Sequence, residues 1–263
     1  MTQKDYLWLQ ISSMPYFRGL LRAVEGRFYE GMELPSPTLD LGCGDGHFAS
    51  VTFPRKLEVG LDPWTGPLHE AEQRGCYEKT VQSEGAHIPF PDAHFGSALS
   101  NSVLEHIPDL DPVLSEVARV LRPGALFVFC VPNHQFDPQL SVAQTLERLG
   151  LKRMAVAYRR FFDRIARHQH LDSPEVWAER LDRAGFSVVR WWHYFSPQAL
   201  AVLEWGHVFG LPSLVARKLT GRWILVPQRW NLAWTDAITR PHYDATPEHP
   251  KGVCTFYIAQ RKG

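Results

Sequence analysis

The sequence carries no net charge: 28 Lys and Arg are balanced by 28 Asp and Glu. A protein that grips nucleic acid over its surface needs a basic footprint, and the bulk composition supplies none. No CxxC pair occurs, and Cys43, Cys76, Cys130 and Cys254 lie far apart. Four lone thiols without metal-ligand spacing point to a reducing compartment rather than a disulfide framework, and no metal is expected. No apolar run approaches the ~20 residues of a membrane span. The stretch 1–14 lacks the basic, apolar, small-residue order of a signal peptide. Repeats and low-complexity tracts are lacking as well. These absences leave a cytoplasmic globular chain with no nucleic-acid partner as the expectation. What is present fits it: 263 residues, 44% of them hydrophobic, suffice for one large core without staples.

The apolar pattern alternates between the two regular structures. Phe17, Leu20, Leu21, Val24 and Phe28 form one stripe of a helix over 15–29, and Arg18, Arg22 and Glu25 form another. Ser13 is its expected cap, with Pro15 in the first turn. Short apolar strands are expected at 38–41, 57–61, 96–103, 125–131, 186–194 and 253–259. A helix with Asp111 as cap runs through Leu114, Val117 and Leu121 to Pro123-Gly124. Another starts at Ser173-Pro174 and stops at Gly185. Strands alternating with helices imply an α/β fold with a largely parallel sheet covered on both faces. Two stretches break the alternation. Residues 136–169 read as one or two basic helices, and 196–246 is a Trp- and Pro-containing region of mixed pattern.

The chemical signal is concentrated in Leu39-Asp40-Leu41-Gly42-Cys43-Gly44-Asp45-Gly46, a strand entering a glycine-rich turn. Glycines permit a sharp turn and let a ligand approach the backbone. The spacing is not that of the dinucleotide fingerprint, because His47 stands where its third glycine belongs. A nicotinamide-dependent oxidoreductase is disfavoured for that reason. A second strand ends at Asp62, 20 residues after Gly42. An acid there can accept hydrogen bonds from ribose hydroxyls.

The segment LDLGCGDGHFAS resembles the first motif of class I S-adenosylmethionine (SAM)-dependent methyltransferases, and VGLDPW resembles the next. SEGAHIPFPD is similar to the third segment of that family, and SNSVLEHI with the following helix and Arg122-Pro123-Gly124 is similar to its type 11 subgroup. Gly96 departs from the subgroup, which usually has aspartate there. The resemblance is close over 37–133, looser over 170–194 and 253–262, and absent elsewhere. It implies a Rossmann-like, doubly wound, mostly parallel seven-stranded sheet with an added helical and irregular lid. It implies SAM as cofactor and a single domain over 1–263. Within that domain, 1–36 is a helical cap and 37–133 the cofactor core. Residues 134–172 and 196–250 are acceptor-side insertions, and 173–195 and 251–263 complete the core.

The site residues follow from the same resemblance. Asp40 orients the methionine end from behind the turn, while Gly42, Cys43 and Gly44 form the turn itself. Asp62 holds the ribose, Pro63 or Trp64 flanks the adenine, and Glu84 with Gly85 reads the adenine edge. Asn101 and Ser102 stand at the carboxyl end of a central strand, where ligands of open α/β sheets bind. His134 is the candidate general base, with His170 second, and His106 is either catalytic or packing at a strand–helix junction. The expected partner is a small-molecule acceptor of sugar, aromatic or lipid type. The tryptophans beyond residue 170 are candidates to line its pocket. Contact with a membrane surface or a lipid-linked substrate is a further reading of the apolar, basic stretch 199–227. A non-catalytic SAM-binding scaffold is the alternative function.

Overall fold

The computed structural model describes residues 4–209 and 211–263. The first three residues of the 1–14 stretch and Gly210 of the 196–246 region lie outside the described residues. Seven strands form one sheet: β1 (Thr38–Leu41), β2 (Leu57–Asp62), β3 (Tyr77–Gln82), β4 (Phe95–Asn101), β5 (Leu121–Pro132), β6 (Phe186–Tyr194) and β7 (Cys254–Arg261). Their order is β3-β2-β1-β4-β5-β7-β6. The pairs from β3 through to β5 are parallel, and β7 runs antiparallel to both β5 and β6. This is the mostly parallel α/β sheet the sequence pattern implies. The order changes direction between β1 and β4, and a crevice opens at their carboxyl ends.

Eleven helices are described around it: α1 (Tyr6–Ile11), α2 (Tyr16–Phe28), α3 (His47–Thr52), α4 (Thr65–Arg74), α5 (Leu110–Val120), α6 (Ser141–Arg148), α7 (Lys152–Ala166), α8 (Pro174–Arg183), α9 (Pro197–Phe209), α10 (Leu211–Thr220) and α11 (Ala233–Asp244). Burial on both faces of β5 explains its unbroken apolar run. Phe127, Phe129 and Val131 join one core with α5 and α8, and Val128 and Cys130 join another with α1, α2 and α9. Both stretches that break the alternation therefore stack on the side of the sheet that carries the N-terminal helices. Glu204 of α9, 2% exposed, accepts from the backbone of Ser141 (2.7 Å) and Val142 (3.1 Å) at the start of α6. It thus caps one insertion from the other.

Several boundaries differ from the expectation. Ser13 does not cap α2; its hydroxyl turns to the carbonyls of Leu9 and Gln10, and Pro15 takes the cap position. The helix at 110–120 starts after Asp109, so Asp111 lies in its first turn and pairs with Arg180 at 3.2 Å. β3 and α1 had no counterpart in the sequence pattern. β3 is an edge strand whose Glu78 and Lys79 are exposed, which removes the apolar alternation. Gly96 has a steric cause: a Cβ there would stand 2.7 Å from the carbonyl oxygens of Pro35 and Ser36. An aspartate does not fit against that backbone.

Candidate active site

A cavity of about 1240 Å³ opens at the carboxyl ends of β1, β2 and β4. Its wall begins where Gly42 leaves β1 with φ +75°, and a Cβ at that position would also overlap the Val103 side chain. The Gly42 and Cys43 amides both donate to Leu61 O, at 2.7 and 3.0 Å, which draws the turn onto β2. Asp62, 7% exposed, accepts from Gly44 N at 3.0 Å and Trp64 N at 2.9 Å. Its carboxylate is thereby held at the cavity wall by two loops. Around Gly44 the space is open: no atom lies within 4 Å of where its Cβ would point.

The candidate cofactor residues divide into three groups. Gly42, Asp62, Pro63, Glu84, Gly85 and Ser102 line the cavity. Asp40 and Cys43 lie behind the turn, and Gly44, with open space around it, is likewise not among the lining residues. Asp40 receives the Tyr77 hydroxyl at 2.6 Å, and burial raises its pKa to about 7 against that hydrogen bond. Asn101 turns away from the cavity altogether. It donates to Glu25 at 2.7 Å and accepts from the Cys130 thiol at 3.1 Å.

Glu25 belongs to a polar centre that the helical stripe did not reveal. It is fully buried and accepts from Arg22 (3.0 Å), Asn101 (2.7 Å), Ser102 (3.0 Å) and Tyr194 (2.8 Å). Four donors saturate the carboxylate and bind α2, β4 and β6 together. Ser102 is held there at φ +51°, the left-handed region that a serine enters only when its surroundings impose it. With α2 fixed in this way, Phe17, Arg18, Leu21 and Arg22 form one side of the cavity. Among the described residues Arg18 has no ion-pair or hydrogen-bond partner for its guanidinium. It is a cation presented to the cavity.

Glu105 and three histidines complete the wall. Glu105 is 3% exposed, its Oε2 has no partner, and burial raises its pKa to about 8. His106 Nδ1 lies 3.0 Å from Arg167 O, so that nitrogen carries the proton and Nε2 keeps its lone pair. Burial lowers the His106 pKa, with the Arg167 carbonyl opposing. The neutral ring therefore prevails at pH 7. His168 stacks on it at 6.2 Å between centroids, with Nδ1 3.5 Å from Asp163 and its pKa lowered by burial to about 4. His207 packs against Phe17 at 4.3 Å and points Nδ1 at Leu203 O. Phe136, Phe162, Ile165 and Leu203 supply apolar surface between them.

His134 lies elsewhere. It is exposed, 6.0 Å from the His193 ring, and is not among the residues that line the cavity. His170 is engaged with the carbonyls of Ile107 and Pro108 at 3.0 and 3.2 Å. None of the tryptophans beyond residue 170 lines the cavity. Trp177 is buried in the core, and the tryptophan on the wall is Trp64. His106, Glu105 and Glu25 gave no local signal beyond the SNSVLEHI motif and the Arg22/Glu25 spacing.

Residues 39–129 match the family model described as a methyltransferase domain. An uncharacterized methyltransferase of Mycobacterium sp. (strain JLS) is 36% identical over 91 residues, which is 34% of this chain and 36% of that protein. A fatty-acid O-methyltransferase of Mycolicibacterium smegmatis is 34% identical over 104 residues, 38% of either chain. The chain thus matches little more than a third of the length of these relatives. Among solved structures, a SAM-dependent methyltransferase from Thermotoga maritima superposes with a TM-score of 0.57 at 14% identity, over 94% of this chain and 91% of that one. Residues 39–129 are thus similar to a methyltransferase domain, and the sheet has the fold of the SAM-dependent methyltransferase it superposes on. The held Asp62, the open space at Gly44 and the unpartnered Glu105 oxygen fit S-adenosylmethionine as a ligand.

Proposed function

We propose that the chain transfers the methyl group of SAM to a small molecule with an apolar body and an anionic or protic head. One observation carries this reading: a single cavity of about 1240 Å³ joins the strand ends to the inserted helices. That exceeds the ~300–1,000 Å³ of a pocket for one drug-sized ligand. Asp62, Glu84 and Gly85 would hold the nucleoside, and the cavity floor at Gly42 and Ser102 the methionine end. When bound, SAM supplies a methyl group activated on a sulfonium. The acceptor then lies against Phe136, Phe162 and Leu203, with Arg18 and Arg167 available to an anionic group. Holding acceptor and methyl in line contributes up to roughly 7–11 kcal/mol. Where the acceptor atom carries a proton, His106 Nε2 takes it as the new bond forms. The match to a protein named for fatty-acid methylation supports an acceptor of this kind.

The test uses calorimetry with SAM and transfer of labelled methyl into amphipathic carboxylic acids and alcohols. His106→Gln is expected to keep SAM affinity and lose about 10²–10⁴ in rate, whereas His134→Ala retains both. Tight SAM binding without transfer to any of these acceptors would favour the non-catalytic scaffold instead.

A further inference from the structure

We infer that α10 and the segment after it form a docking face for an anionic membrane surface beside the cavity mouth. No residue of α10 whose burial is described is buried. A ten-residue helix is marginal in water unless its apolar face packs on something. Among the described residues that face has nothing over it: Val215 is 56% and Leu219 80% exposed, and Leu225, Val226 and Trp230 are exposed in the stretch that follows.

The charge carried by this segment has one sign. No Asp or Glu occurs from Trp205 to Thr235, while Arg217, Lys218, Arg222 and Arg229 do. Arg217 pairs with Glu70 of α4 at 2.9 Å. Among the described residues, Lys218 and Arg222 have no carboxylate within ion-pair distance, and Arg229 stacks on Trp8. Aliphatic and aromatic side chains interleaved with unpaired cations suit the interface of a bilayer containing acidic lipids. The face does not extend into a span. By length and composition α9 and α10 together suffice for a bent one, but Ala199, Leu200, Leu203 and Glu204 commit α9 to the protein core.

Two links place this face next to the cavity. α9, which leads into α10, puts Leu203 and His207 on the cavity wall. The Arg217–Glu70 pair ties α10 to α4, which follows the wall residue Trp64. A second amphipathic stripe reaches the same cavity. Met154, Phe161 and Ile165 share the exposed face of α7 among Arg153, Arg160 and Arg164, and Ile165 lines the cavity. The docking inference stands on the surface alone; only what enters the cavity from the bilayer rests on the methyl-transfer reading.

Flotation of the full chain with vesicles separates the possibilities. Binding to phosphatidylglycerol-rich vesicles is expected, weakening about fivefold for each of Lys218→Glu and Arg222→Glu and falling as salt rises. Leu219→Glu should reduce it at least about tenfold, with SAM affinity and circular dichroism unchanged. Absence of binding to these vesicles overturns the inference. So does equal binding to vesicles of phosphatidylcholine alone with no response to the charge variants. Sedimentation that shows a dimer split by Leu219→Glu overturns it in favour of a second copy. SAM binding is read separately, so failure here leaves the methyl-transfer reading intact.

Discussion

Burial raises the Glu105 carboxyl to a pKa of about 8, so at neutral pH the cavity wall presents an acid hydroxyl rather than a carboxylate. The unfolded chain releases that proton near 4.5, and between 4.5 and about 8 the native state holds the additional proton. Stability must then fall as pH rises through this window, and Asp40 adds the same sign up to about 7. Glu105→Gln keeps a donor and removes the titration, so urea midpoints of the variant should vary less with pH than those of the wild type. Asp62→Ala is expected to weaken SAM binding by about 1.5–3 kcal/mol by calorimetry. It also frees the Gly44 and Trp64 amides that the carboxylate holds. Asp62 and Gly42 were legible because turn and acid sit in two short local motifs. Glu25 and Glu105 were not, since a charged residue's burial is decided by partners distant in the chain. Tyr194 is 169 positions from Glu25.

At the scale of elements, α2 has two separable duties. Its Glu25 fastens the helix to β4 and β6, and its Arg18 faces the cavity unpaired. Glu25→Ala should cost about 3–5 kcal/mol in chemical denaturation, because the buried Asn101 and Tyr194 donors lose their acceptor and the half-buried Arg22 its counter-charge. Arg18→Ala should leave the denaturation midpoint in place and weaken binding of SAM or of an anionic acceptor. A loss of stability in Arg18→Ala would place that residue with the brace instead. The helix itself was readable from its apolar stripe, as were β1, β2 and β6. The polar stripe was not readable as a brace, since Arg22 and Glu25 carry the composition of a solvated face. The caps of α2 and α5 were misplaced because Ser13 and Asp111 have competing partners that sequence does not display.

For the whole molecule, SAM or S-adenosylhomocysteine at a hundredfold excess over Kd should raise Tm by roughly 5–10 °C. NAD and NADP should leave it unchanged, since the wall lacks the dinucleotide glycine spacing. Equal shifts with both cofactor types would sink the assignment of the glycine turn. The α/β class and the parallel core were legible from alternating elements. The placement of β7 between β5 and β6 was not, because strand order depends on tertiary pairing. How α7 and α9 close over the cavity, with α6 packed behind them, was also hidden. Their packing rests on Glu204 at the α6 N-terminus and on Gly206, where a Cβ would collide with Phe17.

The Glu25 centre has a kinetic consequence. Its donors Asn101 and Tyr194 stand 76 and 169 positions away, so the contacts close only after loops of that length have been brought together. Such contacts are expected to form on the native side of the folding barrier. Weakening them, as in Glu25→Gln, should speed unfolding in stopped-flow measurements and leave the refolding rate nearly unchanged. During synthesis the cavity is incomplete until Leu203, His207 and Cys254 have emerged and docked, long after the glycine turn and Asp62 are made. A ligand that needs the whole cavity is therefore expected to stabilise the folded chain and to arrive too late to guide its early folding.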